Sequence, residues 1–268
     1  MSQADGPSAA GPGACPRHVH PAPTSIAGFL GTTSRGPTDR PAVVDSLRDF
    51  TDRYGPVTSE HPLTRSVELF FRNGGVKAGI CRVDPEGGRL DESHLIDPAL
   101  ATRRAGLWLL DRLDAVNLLC IPPFTVDREV TSPTWQAAAT YAKARGAMLL
   151  LDAPRSGAAG GEADASLMEA LVPDAEVRMN CVLYRPWLQP EARPDVDDNP
   201  PLPPSGAVAG LYARMDATRG VWVAPAGRDA VLHGIAGLHP ADADTDVDDG
   251  IAALGANAIR QLDVASAP

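Results

Sequence analysis

The chain has 268 residues, 44% of them hydrophobic and 22% charged, which is enough to bury one large core or two small ones. Its formal net charge is −10 and it carries no basic run, which excludes free nucleic acid as a natural partner because such binding relies on neutralising phosphates. No stretch approaches the roughly 18 apolar residues of a membrane span, so membrane insertion is excluded as well.

The N-terminus, "MSQADGPSAAGPGACPRHVHPAP", has no apolar segment of the signal-peptide kind and reads as a loose arm over residues 1–23. The cytoplasm is the expected compartment. Cys15, Cys81, Cys120 and Cys181 are widely spaced, and three lie in apolar runs, so buried free thiols are expected. From residue 24 to 268 one α/β domain is expected. "SIAGFLG" (25–31) reads as a first strand and "TTSRGPTDRP" as a loop. "DSLRDFTDRYG" places Leu47, Phe50 and Tyr54 at helical spacing, with Asp45 or Ser46 to cap its start and Gly55 to end it. In "HPLTRSVELFFRNGG", Leu63, Val67, Phe70 and Phe71 share a helix face, Pro62 suits the first turn and Gly74 the end.

"KAGICRVD" (77–84) is a predicted strand, followed by a helix over roughly 98–113 with Leu100, Leu107 and Leu110 inward. "AVNLLCIP" reads as a buried strand, residues 132–144 as a helix ended by Gly146, and "AMLLLDAP" as another buried strand. A helix near 163–172 and the strand "CVLYRP" (181–186) follow. Strands and helices alternating at this spacing predict a mixed, largely parallel sheet with helices on both faces. Residues 189–204 form a Pro- and Asp-rich connector, and 239–250 an acidic loop before a short helical piece and "NAIRQL".

Several chemistries can be tried against these elements. The acidic loop does not match a calcium loop: counted from Asp242 the sixth and twelfth positions are Val247 and Ala253, where Gly and Glu are needed. His18 and His20 have no zinc-spaced partners. "RSGAAGGEADAS" lacks the Lys of a phosphate loop, and no GxSxG elbow is present. No metal and no cofactor is therefore expected. Asp84 and Asp152 end predicted strands, where open α/β sheets bind ligands. They are the best handle for an alternative reading, a small α/β enzyme with carboxylates at strand ends.

The stretch "PPSGAVAGLYARMDATRGVWVAPAG" (203–227) has a structural reading. Pro203 and Pro204 stiffen the approach and Ser205 can cap a helix. Val208, Leu211, Tyr212 and Met215 fall on one side, while Ala209, Gly210, Ala213 and Ala217 leave little bulk for a close neighbour, and Gly206 belongs to the same expected joint. Arg214 is a long charged reach, Asp216 and Arg219 can pair across a turn, and Gly220 ends the helix. "VWVAPA" then reads as a strand through Pro225, anchored in a core by Trp222. The whole stretch is expected to be a packed joint serving protein–protein contact.

The same stretch resembles a segment of the sheath proteins of contractile phage tails and related contractile injection systems. "TSIAGFLGTTSRGPTDRPAVVDSLRDFTDRYG", "VELFFRNGGVKAGICRV", "VNLLCIP", "AMLLLDAP", "VLYRPWLQP" and "LGANAIR" are similar to further pieces of that family, in the same order. The resemblance covers about residues 24–260. It implies a structural subunit that stacks in six-membered rings around an inner tube and contracts without consuming a nucleotide, its partners being other sheath subunits. Family members open with a "PGVYVEE"-like strand and continue well past the "NAIR" region, and their terminal arms donate strands to neighbours. The present chain is expected to be shortened at both ends, incomplete relative to the full sheath core, and to need a partner to cover it.

Overall fold

The computed structural model describes residues 24–85, 87–155, 167–192, 199–239 and 256–261. The arm expected over 1–23 and, beyond His239, the acidic loop lie outside the described residues. The elements run β1 (Ala27–Gly31), β2 (Ala42–Val44), α1 (Leu47–Tyr54), α2 (Pro62–Arg72), β3 (Ala78–Arg82), α3 (Ser93–Ile96), α4 (Pro98–Arg103) and a 3₁₀ helix (Gly106–Arg112). They continue with β4 (Leu118–Cys120), α5 (Ser132–Arg145), β5 (Met148–Asp152), α6 (Leu167–Leu171), α7 (Ala175–Arg178), β6 (Cys181–Arg185), β7 (Leu188–Pro190), α8 (Ser205–Arg219), β8 (Ile235–Leu238) and β9 (Ala256–Ala258).

Among the described residues, seven strands form one sheet in the order β2-β3-β1-β4-β5-β6-β9. Only β2 pairs antiparallel; the other ladders are parallel. The mixed, largely parallel sheet read from the sequence is therefore the observed one. Parallel ladders need covered faces, and period-two alternation shows both covers. Phe29, Leu118, Cys120 and Leu150 face a core shared with α1, α2 and α8. Leu30, Leu119, Leu149 and Leu151 face the other, shared with the 3₁₀ helix, α5, α6 and α7. Phe29 meets Phe70 of α2 edge-on, ring centres 5.5 Å apart, a favoured arrangement for such pairs. β7 and β8 form a separate two-stranded sheet over a satellite cluster of Leu69, Leu188, Leu202 and Ala207.

Local chemistry explains most boundaries. Ser46 accepts the Asp49 N–H to cap α1, and Gly55 closes it. Pro62 opens α2 and Gly146 ends α5 in the left-handed conformation. The predicted helix over 98–113 is instead broken. Arg104 at φ 52° and Gly106 at φ 56° interrupt it, leaving α4 and the 3₁₀ helix. Gly106 sits so close to the Leu95 carbonyl that a Cβ there would lie 2.5 Å from it. The break turns Leu107 and Leu110 fully inward, whereas Leu100 stays half-buried.

Three further expectations change. Part of the connector expected at 189–204 is strand: Leu188–Pro190 pairs with β8 and forms a bridge with Leu202. In the region expected as a short helical piece and "NAIRQL", residues 256–258 add to the sheet as β9. "VWVAPA" is a run of turns and bends, not a strand.

The connections leaving β1 and β4 run in opposite directions across the sheet, which makes the β1–β4 boundary a switch point of the kind that binds ligands in open α/β folds. Here α2 enters that crevice. Leu63 packs on Gly31 so tightly that a Cβ at Gly31 would lie 3.2 Å from it. His61 Nδ1 and Thr32 Oγ1 are hydrogen-bonded beside this contact, 3.0 Å apart. Burial holds the His61 imidazole below its ordinary pKa, disfavouring its cation.

Candidate functional site

The joint around α8 connects the parts of the molecule that the sequence left separate. Asp152, the last residue of β5, is 7% exposed, and Ser205, the first residue of α8, is fully buried. The Ser205 N–H donates to Asp152 Oδ1 at 2.8 Å and its hydroxyl donates to Oδ2 at 2.7 Å. Ser205 therefore does not cap the helix. Pro204 takes the cap position, and the serine's donors are spent across the chain on a carboxyl at a strand end. Burial pushes the Asp152 carboxyl up to about 7; the Ser205 bonds oppose this, and the charge of Glu129 reinforces it. Cys120 lies under the same joint, its thiol 3.8 Å from the Ser205 carbonyl and held well above the usual thiol range by burial.

From that anchor α8 runs along α2 at a close approach set by two glycines. A Cβ on Gly206 would lie 2.4 Å from the Ser66 carbonyl oxygen, and one on Gly210 2.3 Å from that of Phe70. Both distances are far inside contact, so only glycine fits this spacing. The small-residue face thus finds its close neighbour within the chain. Val208, Leu211 and Met215 are buried as expected, and Tyr212, half-buried, brings its hydroxyl within 3.3 Å of that of Tyr184.

The C-terminal half of the joint departs from expectation. Arg214 does not reach outward: it donates to the carbonyls of Asn73, at 3.1 Å, and Val231, while Gly74 packs on its stem. Asp216 and Arg219 do not pair. Asp216 accepts the Ser25 hydroxyl beside β1, and Arg219 forms an ion pair with Asp229 at 2.8 Å. Gly220 does end the helix, at φ 90°. Trp222 is no core anchor; it is 83% exposed on the following loop, with Pro225 half-buried beyond it. Alternating Val-Trp-Val reads as a strand only where a sheet edge receives it, and none does here.

A residue without a sequence signal completes the joint. Asn73, fully buried, donates to the carbonyls of Leu69 and His233 and accepts the His233 N–H at 2.8 Å. It pins the loop after α8 to the end of α2.

The carboxylates of the enzyme alternative are not brought together. β3, which leads to Asp84, is separated from β5 by two strands, about 14 Å at ~4.8 Å per strand. Asp84 is exposed and salt-bridged to Arg82 at 2.7 Å. Asp152 borders a cavity of about 30 Å³ with Glu129, Trp135, Leu171 and Trp187. That volume suits a water or two, against the several hundred Å³ of a small-molecule pocket. Among the described residues no cluster of His, Cys, Asp and Glu is arranged to hold a metal, and no helix is long and apolar enough to cross a membrane.

No protein-family model matches the chain and no curated protein matches it by sequence. Solved structures do match by fold. A chain of the anti-feeding prophage (AFP) baseplate, six-fold symmetrised, superposes with a TM-score of 0.62 at 21% identity, covering 98% of this chain and 65% of that one. The AFP helical sheath in its contracted state gives 0.61 at 23% identity, over 92% and 61%. The PVC sheath complex of an extracellular contractile injection system, also contracted, gives 0.51 at 21% identity, over 82% and 52%. The chain shares its fold with components of contractile injection systems. It spans less than two thirds of the length of each of these neighbours.

Proposed function

We propose that this chain is a structural subunit or accessory of a contractile tail or injection apparatus, packing in or on the sheath around the inner tube. The observation that carries the reading is the fold, shared along 98% of the chain with a baseplate chain of such a machine. The joint supports it. Its polar groups are spent on internal bonds that fix one element to another, as a load-transmitting body requires, and not on a cleft open to substrate. Its partners on this reading are other sheath subunits and the inner tube protein, without nucleic acid or membrane insertion, and its work is mechanical rather than catalytic. The bistable packing of many such subunits would store the energy. Assembly takes place in the cytoplasm, in a phage tail or tail-like particle.

Sedimentation of particles from the source cells tests this. The chain is expected in the particle pellet together with tube and sheath proteins, at a fixed ratio to them through a second gradient. Recovery only in the soluble fraction, while intact particles pellet without it, would overturn the reading.

A further inference from the structure

The loop that Asn73 pins to the end of α2 closes over a chemically reactive pair. Asn73 and Gly74 form the chain's single Asn-Gly sequence. In such a pair the glycine nitrogen, with no side chain beside it, is open to attack the asparagine side-chain carbon. The fold blocks that attack at three points. The Asn73 amide is fully buried and held from both ends: Nδ2 donates to the carbonyls of Leu69 at 2.8 Å and His233 at 3.1 Å, and Oδ1 accepts the His233 N–H at 2.8 Å. A ψ of 7° at Asn73 eclipses the Gly74 nitrogen with the Asn73 nitrogen and so keeps it away from the side chain. The Gly74 N–H is itself engaged, donating to the Phe71 carbonyl at 3.3 Å. Above it lies the stem of Arg214, so near that a Cβ on Gly74 would stand 2.7 Å from the Arg214 Cβ. Two of the four contacts on this pair, those of His233 and Arg214, come from α8 and the loop after it, and Arg214 also holds the Asn73 and Val231 carbonyls.

We propose that Asn73 and Gly74 are a self-modification site gated by the 231–234 segment, which deamidates only when that segment lifts from α2 and cannot be closed over again afterwards. Once His233 leaves, the side chain and ψ are free to turn. The Gly74 nitrogen gives up its proton to water or hydroxide and bonds to Asn73 Cγ; the Cγ–Nδ2 bond breaks and the amide nitrogen leaves as ammonia. Water then opens the five-membered ring. Cleavage at Cγ leaves an aspartyl residue, and cleavage at the main-chain carbonyl leaves an isoaspartyl link that runs through the side chain. One water is consumed, one ammonia is released and nothing is oxidised or reduced. Neither product rebuilds the latch. In the first, a carboxylate oxygen replaces the Nδ2 donor and faces the Leu69 and His233 carbonyls, acceptor against acceptor in a buried site. In the second, the main chain gains a methylene ahead of Gly74, whose φ of 103° sets the present turn. The chemistry belongs to this chain alone and stands apart from the assembly reading.

Mass spectrometry of the purified full chain, aged at mildly alkaline pH in buffer and in urea, tests this. Trypsin cuts after Arg72 and Lys77, so residues 73–77 are released as one peptide whose gain of one mass unit reports the reaction. The native chain is expected to react at least about 100-fold more slowly than the unfolded one, the protection that three buried hydrogen bonds give. Arg214→Ala, still folded by circular dichroism, is expected to react about 10-fold faster than the parent. Chains already modified are expected to exchange the amides of 231–234 faster than unmodified ones in the same sample. Equal rates in buffer and urea, a rate unmoved by Arg214→Ala, or modified chains that keep full amide protection over 231–234 would each overturn the inference.

Discussion

Replacing Asp152 by Asn asks whether the joint between β5 and α8 is held by a carboxyl that is more stable neutral than charged. In the folded chain burial pushes this group up to about 7, against 3.8 for the exposed side chain of the unfolded chain. Between those values the folded state keeps a proton that the unfolded state has released, so stability falls as pH rises. The contribution is full below 3.8 and is lost as pH climbs through about 7. A gap of roughly three pH units at about 1.4 kcal/mol each gives an upper figure of about 4 kcal/mol. Asn is nearly isosteric: its carbonyl oxygen can accept the Ser205 N–H, and its amide can donate to the Ser205 oxygen. Asp152→Asn is therefore expected to match the parent near pH 4 and to exceed it at pH 8, by at most about 4 kcal/mol. Asp152→Ala instead strands the buried Ser205 N–H and should lose about 1–3 kcal/mol near pH 4, a deficit that shrinks or reverses toward pH 8 because the parent, unlike the alanine variant, loses stability as Asp152 ionises. Urea unfolding followed by circular dichroism across pH 4.5–8 measures both. Parallel pH profiles for parent and Asp152→Asn, or a less stable Asn variant at pH 8, would refute the reasoning.

Other consequences follow from the same geometry. Gly210→Ala replaces a poor helix former by the best one, which in an open helix would stabilise by about 1 kcal/mol. Against the Phe70 carbonyl it is expected to destabilise by about 1–3 kcal/mol, so the sign of the change in urea midpoint decides between propensity and packing. Arg214→Ala should cost about 1–3 kcal/mol and speed amide exchange over 220–234, and Arg214→Lys should not restore it, since two carbonyls need two donors held in a fork. Trp222→Ala should change monomer stability by no more than about 0.5 kcal/mol, as for an exposed site. Cys81 and Cys120 should resist a thiol reagent until the chain unfolds, because both are buried and burial raises their thiols, whereas the half-buried Cys181 should label before either of them.

The sheet was legible because its strands are short, unbroken apolar runs, a pattern that a doubly covered parallel sheet requires and that few other environments produce. α2 was legible for a related reason: its apolar face repeats at helical spacing between Pro62 and a glycine pair. What escaped depends on partners distant in the chain. β2 is three residues long and is a strand only because β3 lies beside it. The break at Arg104 pays for its positive φ by seating Leu107 and Leu110, and nothing local to "ATRRAGLW" announces that exchange.

The joint shows the same division within single residues. Asp152 and Ser205 are each visible in the sequence, one as a carboxylate at a strand end and the other as a candidate helix cap, but the bond between them is not. That bond spans 53 positions, and no local pattern announces it. The small-residue face of α8 was read rightly as a surface for close approach, since lack of bulk is a property of the helix alone. Trp222 was read as core because a large apolar side chain in an alternating run is usually buried. It is instead 83% exposed on a run of turns and bends, because no strand edge receives Val-Trp-Val there. Periodicity places a large apolar side chain in a core only when the element it belongs to forms, and at Trp222 that element does not.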